Sequence, residues 1–93
     1  MGRLFITAIV CAALATATQH RGFVKSSGLP IPGATVTATQ GAQTLTVWTD
    51  ESGAYRFEDL AAGTWKMKIT MAGFETATRD LDPAAGPAEW SLV

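Results

Sequence analysis

Short segments that alternate apolar and polar residues, separated by glycine and proline, constrain this fold more than any other feature. Segment 65–71 is the clearest, because Trp65, Met67, Ile69 and Met71 alternate with polar residues. A period of two is typical of a strand with one buried face. Turns recur about every 8–12 residues, which predicts an all-β sandwich of seven strands. The predicted strands are 21–26, 34–39, 44–49, 54–58, 65–71, 75–81 and 88–93.

Glycine and proline set the predicted turns. Stretch 27–33, Ser-Gly-Leu-Pro-Ile-Pro-Gly, holds two prolines and two glycines, so we expect a loop there without strand pairing. Residues 50–53, Asp-Glu-Ser-Gly, begin with Asp and end with Gly, which is the residue usage of a type I turn. Segment 75–81 is polar and rich in threonine, which indicates an edge strand.

The N-terminal segment differs from the rest and predicts a secretory signal peptide. Arg3 gives a positive charge, and residues 4–14 form an uncharged apolar run, as in such signals. The run is shorter than the ~20 apolar residues needed to span a bilayer. Small residues allow cleavage after Ala17, which we favour, or after Ala15. An uncleaved anchor or a buried helix is the alternative.

This division gives a signal helix over 1–17 and one domain over 18–93. We expect the domain to be secreted, in the periplasm or the cell envelope, and to meet a membrane only through targeting or a larger parent protein. Its single cysteine, Cys11, lies in the signal segment, so no internal disulfide can stabilise the domain. With a formal net charge of −1, the chain has no basic face for phosphates, and nucleic acid is not expected as a partner.

Five short motifs follow one another in the domain: Gly22-x-Val24, Pro32-Gly33-Ala34-x-Val36, Thr49-Asp50-x-x-Gly53-x-Tyr55-x-Phe57, Leu60-x-x-Gly63 and Gly73-Phe74. The ordered set resembles the carboxypeptidase regulatory-like domain, in the group of transthyretin-like, carbohydrate-binding-like sandwiches. The resemblance implies a prealbumin/transthyretin-like Greek-key sandwich. It also implies a folding, spacing or docking module, often in bacterial cell-surface and outer-membrane receptor proteins. It does not imply peptidase activity, because the zinc-binding catalytic domain of such carboxypeptidases is a different segment.

The same motifs have a physical interpretation. Gly33, Gly53, Gly63 and Gly73 fall at predicted turns, Asp50 begins one of them, and Tyr55, Phe57, Leu60 and Phe74 are expected core anchors. Further inward residues are predicted to be Val24, Val36, Leu45, Val47, Trp65, Met67, Ile69, Leu81, Trp90 and Leu92. A core of this size leaves a small sandwich marginally stable, which favours a fragment of a longer protein or a module supported by a partner.

Catalytic chemistry has few candidates in this sequence. His20, the only histidine, lies beside the predicted cleavage point, where we expect a mobile chain end. The domain has one histidine and no cysteine, so one chain cannot assemble the usual zinc site. Asp50, Glu51, Glu58 and Asp59 cluster in sequence, but turn formation and solvent exposure explain them better than calcium binding or glycoside hydrolysis. We therefore predict no enzyme activity, no metal and no cofactor.

Two aromatic residues are the candidate contacts. Leu45 and Val47 set the inward phase of their strand, so Trp48 should face outward, and Phe23 beside Val24 should do the same. An exposed aromatic side chain can cover a protein partner or an adjoining domain, which we favour, or stack on a sugar ring. Lys66 and Lys68 indicate a solvated face that discourages edge pairing, with an anion site as the alternative. The hypotheses are an interaction module, a carbohydrate-binding module and, least favoured, an enzyme.

Overall fold

The computed structural model describes residues 18–93 as two β-sheets that form a sandwich. Its strands are β1 (Thr18–Ser26), β2 (Leu29–Pro30), β3 (Thr35–Gln40), β4 (Gln43–Trp48), β5 (Ala54–Leu60), β6 (Trp65–Thr70), β7 (Ala77–Leu81) and β8 (Ala88–Ser91), with a 3₁₀ turn at Pro83–Ala85. The predicted all-β sandwich is confirmed. The predicted signal helix, residues 1–17, lies outside the described residues. Within the described range, no helix is long and apolar enough to cross a membrane.

This range holds eight strands, so the predicted number of seven is wrong. The additional strand, β2, lies in the stretch 27–33 that was predicted to be an unpaired loop. Ser27 and Gly28 have φ angles of 52° and 80°, and two positive φ angles define the type I′ turn that closes a two-residue hairpin. Leu29 and Pro30 therefore pair with the end of β1. Pro30 is tolerated because β2 is an edge strand, which pairs only with β1 among the described strands. The Greek-key, prealbumin-like connectivity stays a prediction.

Strand β1 is the centre of the first sheet. It pairs antiparallel with β5 and with β2, and parallel with β8. Gly22 pairs with Tyr55 of β5 and with Ala88 of β8, so these two strands flank β1 on opposite edges. The alternation of side chains along β1 turns His20, Gly22 and Val24 inward. The first sheet therefore depends on β1 for most of its strand pairing.

The second sheet has the strand order β4-β3-β6-β7, and all its pairs are antiparallel. Strand β6 shows the alternation that its sequence predicts, with Trp65, Met67 and Ile69 buried. Strand β7 covers most of the predicted segment 75–81 and lies at the edge of the sheet, as its polar sequence indicates.

The core joins the inner faces of the two sheets. Most of the predicted inward residues are buried: Val24, Val36, Tyr55, Phe57, Leu60, Trp65, Met67, Ile69, Trp90 and Leu92. The remaining four pack against this core while staying partly exposed: Leu45, Val47, Phe74 and Leu81. Ala34 and Ala38 also belong to the core. They share a face with Val36, as the alternation of small or apolar residues with threonines over 34–39 predicts.

A buried polar chain connects three strands of the first sheet. The indole Nε1 of Trp90 donates to the Tyr55 hydroxyl at 3.0 Å, and the same hydroxyl lies 3.0 Å from Nε2 of His20. An indole N–H can only donate, so the Tyr55 oxygen accepts from Trp90. The direction of the second bond, between the Tyr55 hydroxyl and His20 Nε2, follows the tautomer of the imidazole. The prediction that His20 belongs to a mobile chain end is wrong, because His20 is only 2% exposed.

The Tyr55 side chain reaches Trp90 by crossing β1 at Gly22. A Cβ atom at Gly22 would lie 2.6 Å from the Tyr55 hydroxyl oxygen and 2.5 Å from the Ala88 carbonyl oxygen. Real Cβ atoms do not approach heavy atoms this closely, so position 22 accepts no side chain without displacing β5 or β8. The first motif, Gly22-x-Val24, therefore marks a point on β1 where Tyr55 of β5 and the backbone of β8 leave no room for a side chain.

We predict that Gly22→Ala lowers the free energy of unfolding by about 1–3 kcal/mol, because overpacking a filled core costs this much. Chemical denaturation measured by fluorescence provides the test. The matched control is Arg21→Ala, a solvent-facing position on the same strand, where a change within about 0.5 kcal/mol is expected. Equal stabilities for the two variants would contradict the crossing at Gly22.

Burial also sets the protonation of His20. Desolvation lowers the pKa of His20 below its ordinary value of 6.5, and the backbone of Gly86 offsets part of this effect. Within residues 18–93, no hydrogen bond satisfies Nδ1 of this ring. Because the folded pKa lies below the unfolded one, the unfolded chain takes up a proton first as the pH falls. The folded state thus loses stability as the pH drops below about 6.5, until the folded pKa is reached.

We therefore expect the free energy of unfolding of the wild type to fall as the pH is lowered from about 7.5 to about 5, a range in which histidine titrates. His20→Phe keeps a ring of similar size and should remove this decline, since the chain has no other histidine. Denaturant unfolding at several pH values measures both proteins. An equal decline in both would contradict the role assigned to His20.

Candidate functional site

The two aromatic residues predicted to face outward line the same cleft. Trp48, the last residue of β4, is 63% exposed, and Phe23 on β1 is 38% exposed. Both border an open cleft of about 440 Å³. The cleft lies between the end of β4 in the second sheet and the outer face of β1 and β5 in the first. The outward orientation agrees with the strand phases, while the binding role of these residues stays a prediction.

Two arginines form the basic part of the cleft. Arg21 of β1 and Arg56 of β5 line it and are directly opposite each other in the strand pairing. Like charges at opposed positions repel. Glu58 relieves part of this repulsion, because its carboxylate lies 3.0 Å from Nε of Arg56. Arg21 makes no ion pair within residues 18–93. The pairing register brings the two arginines together, and no local sequence motif indicates it.

Thr49 fixes the position of the neighbouring Trp48. Its hydroxyl donates to the Ile31 carbonyl oxygen at 2.7 Å and accepts from the Ala34 amide at 2.8 Å. Its backbone amide and carbonyl also bond to Ala34 and Gly33. Thr49 is therefore buried and connects the end of β4 to the loop before β3. Thr49 begins the third sequence motif, but its burial and its hydrogen bonds were not predicted, because a threonine at the end of a strand more often faces solvent.

Asp50 lies in the cleft, but its carboxylate is already engaged in the turn. Oδ1 accepts hydrogen bonds from the amides of Ser52 and Ala54 and from the Ser52 hydroxyl, at 2.8–3.0 Å. The Ser52 hydroxyl and these amides lower the pKa of Asp50 below its ordinary value. Gly53 closes the turn with a φ of 78°, and a Cβ there would lie 2.6 Å from the Val24 carbonyl oxygen. Asp50 and Gly53 thus place β5 against β1.

The other motif residues lie in turns or in the core. Gly33, Gly63 and Gly73 have positive φ angles. Tyr55, Phe57 and Leu60 are buried, whereas Phe74 is only partly buried. These residues support the two sheets and do not line the cleft, apart from Tyr55.

The remaining candidates for chemistry do not converge on the cleft. Glu51, Glu58 and Asp59 are exposed, and His20 is enclosed in the core. In the described part of the chain, no group of three histidine, cysteine or acidic side chains is placed to hold a metal ion. Burial raises the pKa of the Tyr55 hydroxyl, which keeps it a neutral hydrogen-bonding group.

Lys66 and Lys68 lie in the interior of the second sheet, so one part of their predicted role is wrong. Both lie on the exposed face of β6, as predicted. However, β6 lies between β3 and β7 and is not an edge strand. The lysines therefore cannot discourage edge pairing. Lys66 is opposite Thr39 on one side and Asp80 on the other, which accounts for it as part of a solvated sheet face.

Several solved structures are similar to this chain, among them the following two. The Bacillus anthracis TIE protein aligns with a TM-score of 0.65 and 15% identity, covering 82% of this chain and 16% of that protein. A chain of a type II cohesin–X–dockerin complex from Acetivibrio cellulolyticus aligns with a TM-score of 0.54 and 26% identity, covering 80% of this chain and 51% of that chain. This chain therefore spans about half or less of the length of these two matched chains. Among curated protein sequences, none matches it.

A family model, the carboxypeptidase regulatory-like domain, matches residues 21–90. The match includes the whole series of motifs from Gly22 to Phe74 and most of the strands of both sheets. The chain belongs to the family of carboxypeptidase regulatory-like domains.

Proposed function

We propose that residues 18–93 form a non-catalytic interaction module that binds a protein partner or an adjoining domain through the cleft between Phe23 and Trp48. The observation that carries this proposal is the placement of both exposed aromatic side chains, from different sheets, around one cleft. An exposed tryptophan side chain offers a partner a large area to bury, about 150–250 Å² for an aromatic residue.

The residue types in the cleft also support protein binding. Interfaces are enriched in aromatic residues and arginine, and their most important contacts are commonly tryptophan, tyrosine and arginine. Here Trp48 and Phe23 provide apolar area, and Arg21 and Arg56 provide several N–H donors beside it. The supporting strands are rigid, because the Tyr55 chain and the Thr49 bonds fix them from inside.

The comparisons support the same function class. The family is described as regulatory-like, and one structural match is a chain of a cohesin–X–dockerin complex, an assembly of protein modules. We extend this to the present chain as a docking role beside a partner.

The proposal includes export of the domain. Residues 1–17 have the charge and apolar run of a signal peptide, and cleavage after Ala17 or Ala15 would leave the whole of β1 in the mature chain. The domain would then act outside the cytoplasm, in the periplasm or at the cell surface, as part of a larger protein such as an outer-membrane receptor.

Carbohydrate binding is the second candidate. The exposed indole ring of Trp48 and the neighbouring arginines offer a stacking surface and hydrogen-bond donors. It is less favoured because Asp50, the acidic group in the cleft, already accepts three hydrogen bonds from the turn. All three bonds go to Oδ1, so Oδ2 is the one carboxylate oxygen left to orient sugar hydroxyls.

Trp48→Ala should abolish binding while changing the free energy of unfolding by less than about 0.5 kcal/mol, as is usual for surface substitutions. Trp65 and Trp90 are buried, so their fluorescence reports folding. Binding is measured in two ways: titration with cell-wall and storage polysaccharides, and site-specific photo-crosslinking from position 23 in cells that export the protein. Leu29→Ala is the matched control, since Leu29 is 67% exposed and lies outside the cleft.

A discrete protein adduct that is lost in Trp48→Ala and kept in Leu29→Ala would support partner docking. A saturable polysaccharide response with the same pattern would favour the second candidate instead. If adducts and titrations are the same in both variants, the cleft is not the binding surface.

A further inference from the structure

The first and last strands of the described chain lie side by side and run in the same direction. β1 and β8 pair in parallel from Gly22↔Ala88 to Lys25↔Ser91. The chain therefore begins β1 at one end of the sandwich and leaves β8 at the other. From Thr18 to Lys25, β1 extends roughly 23 Å at about 3.3 Å per residue.

Several contacts tie β8 to β1 beyond the ladder itself. The Leu92 amide donates to the Lys25 carbonyl oxygen at 2.8 Å, and the Ser26 hydroxyl donates to the Leu92 carbonyl oxygen at 3.0 Å. Glu89 lies 3.8 Å from Nζ of Lys25. The pair therefore stays connected past the last strand residue of β8.

The side chain of Trp90 connects the same strand to the rest of the sandwich. Its indole N–H bonds to Tyr55 on β5, beyond β1. On its other side, the Arg79 guanidinium carbon lies 4.2 Å from the indole centroid, and an Arg79 N–H donates to the Glu89 carbonyl oxygen. Because Arg79 belongs to β7, β8 is connected to both sheets.

We infer that the β1–β8 pair is a mechanical clamp that keeps the module folded when its two ends are pulled apart. Such a load acts along the strands and stresses the ladder hydrogen bonds together, in shear. A load that enters both strands at the same end would break these bonds one at a time. Forced unfolding depends on the unfolding barrier more than on equilibrium stability, so the direction of pulling sets the resistance. The biological use of the clamp rests on the proposed function. A docking module carries load between its bound partner and the larger protein to which the module belongs.

Single-molecule force spectroscopy on the full chain tests this inference. Both proteins carry Cys11→Ser and a handle at the C-terminus. In one, Thr18→Cys attaches the second handle at the start of β1, which gives shear. In the other, Ser27→Cys attaches it just after β1, beside the end of β8, which gives peeling. The Ser27 position is exposed and cysteine is close to serine in size, so the two proteins differ mainly in the point of attachment.

At equal loading rates, we expect a several-fold higher unfolding force in the shear geometry. Adding Ile69→Val, a core change in the second sheet, should lower stability to denaturant and leave the shear force nearly unchanged. Equal forces in the two geometries would overturn the clamp, as would a shear force that falls in step with stability in Ile69→Val. The assay contains no partner, so it can fail or succeed independently of the docking proposal.

Discussion

The first sheet depends on the two hydrogen bonds that the Tyr55 hydroxyl makes. It accepts from Trp90 on β8 and is hydrogen-bonded to His20 on β1, so one oxygen joins three strands. Gly22 makes this possible by leaving the space that the Tyr55 side chain crosses. Since a buried polar group without a partner costs free energy, the three side chains are interdependent.

The proposed docking cleft and the β1–β8 clamp both depend on hydrogen bonds that hold their residues in position. Thr49 and Asp50 begin the β4–β5 connection and bond to Ile31 and to Ala54, so Trp48 stays exposed at a defined point beside β1 and β5. The β1–β8 pair, held by Trp90 from inside, sets where the chain enters and leaves the sandwich. The proposed docking and the inferred resistance to tension thus depend on separate sets of contacts, while the aromatic residues that would meet a partner lie outside the core.

Much of this architecture could be predicted from the sequence, because period-two alternation and turn residues act locally. The alternation of β6 and the outward phase of Trp48 are such cases. What could not be predicted depends on pairing between distant segments. His20 is expected from the sequence to be mobile because it lies beside the predicted cleavage point. The residues that hold it are distant in sequence, since its strand partner Phe57 and its hydrogen-bond partner Tyr55 are both on β5. The opposed arginines appear only through the register of β1 and β5, and the hairpin to β2 required a positive φ at Ser27, which a serine does not indicate.

The most direct test of the central interaction is the free energy of unfolding of Tyr55→Phe, measured by chemical denaturation. This substitution removes the hydroxyl and keeps the ring, so Trp90 Nε1 and His20 Nε2 lose their shared partner. We predict a loss of about 1–3 kcal/mol, the cost of leaving buried polar groups unsatisfied. A change of less than about 0.5 kcal/mol, the level of a typical surface substitution, would contradict the account and assign the stability of the first sheet to apolar packing alone.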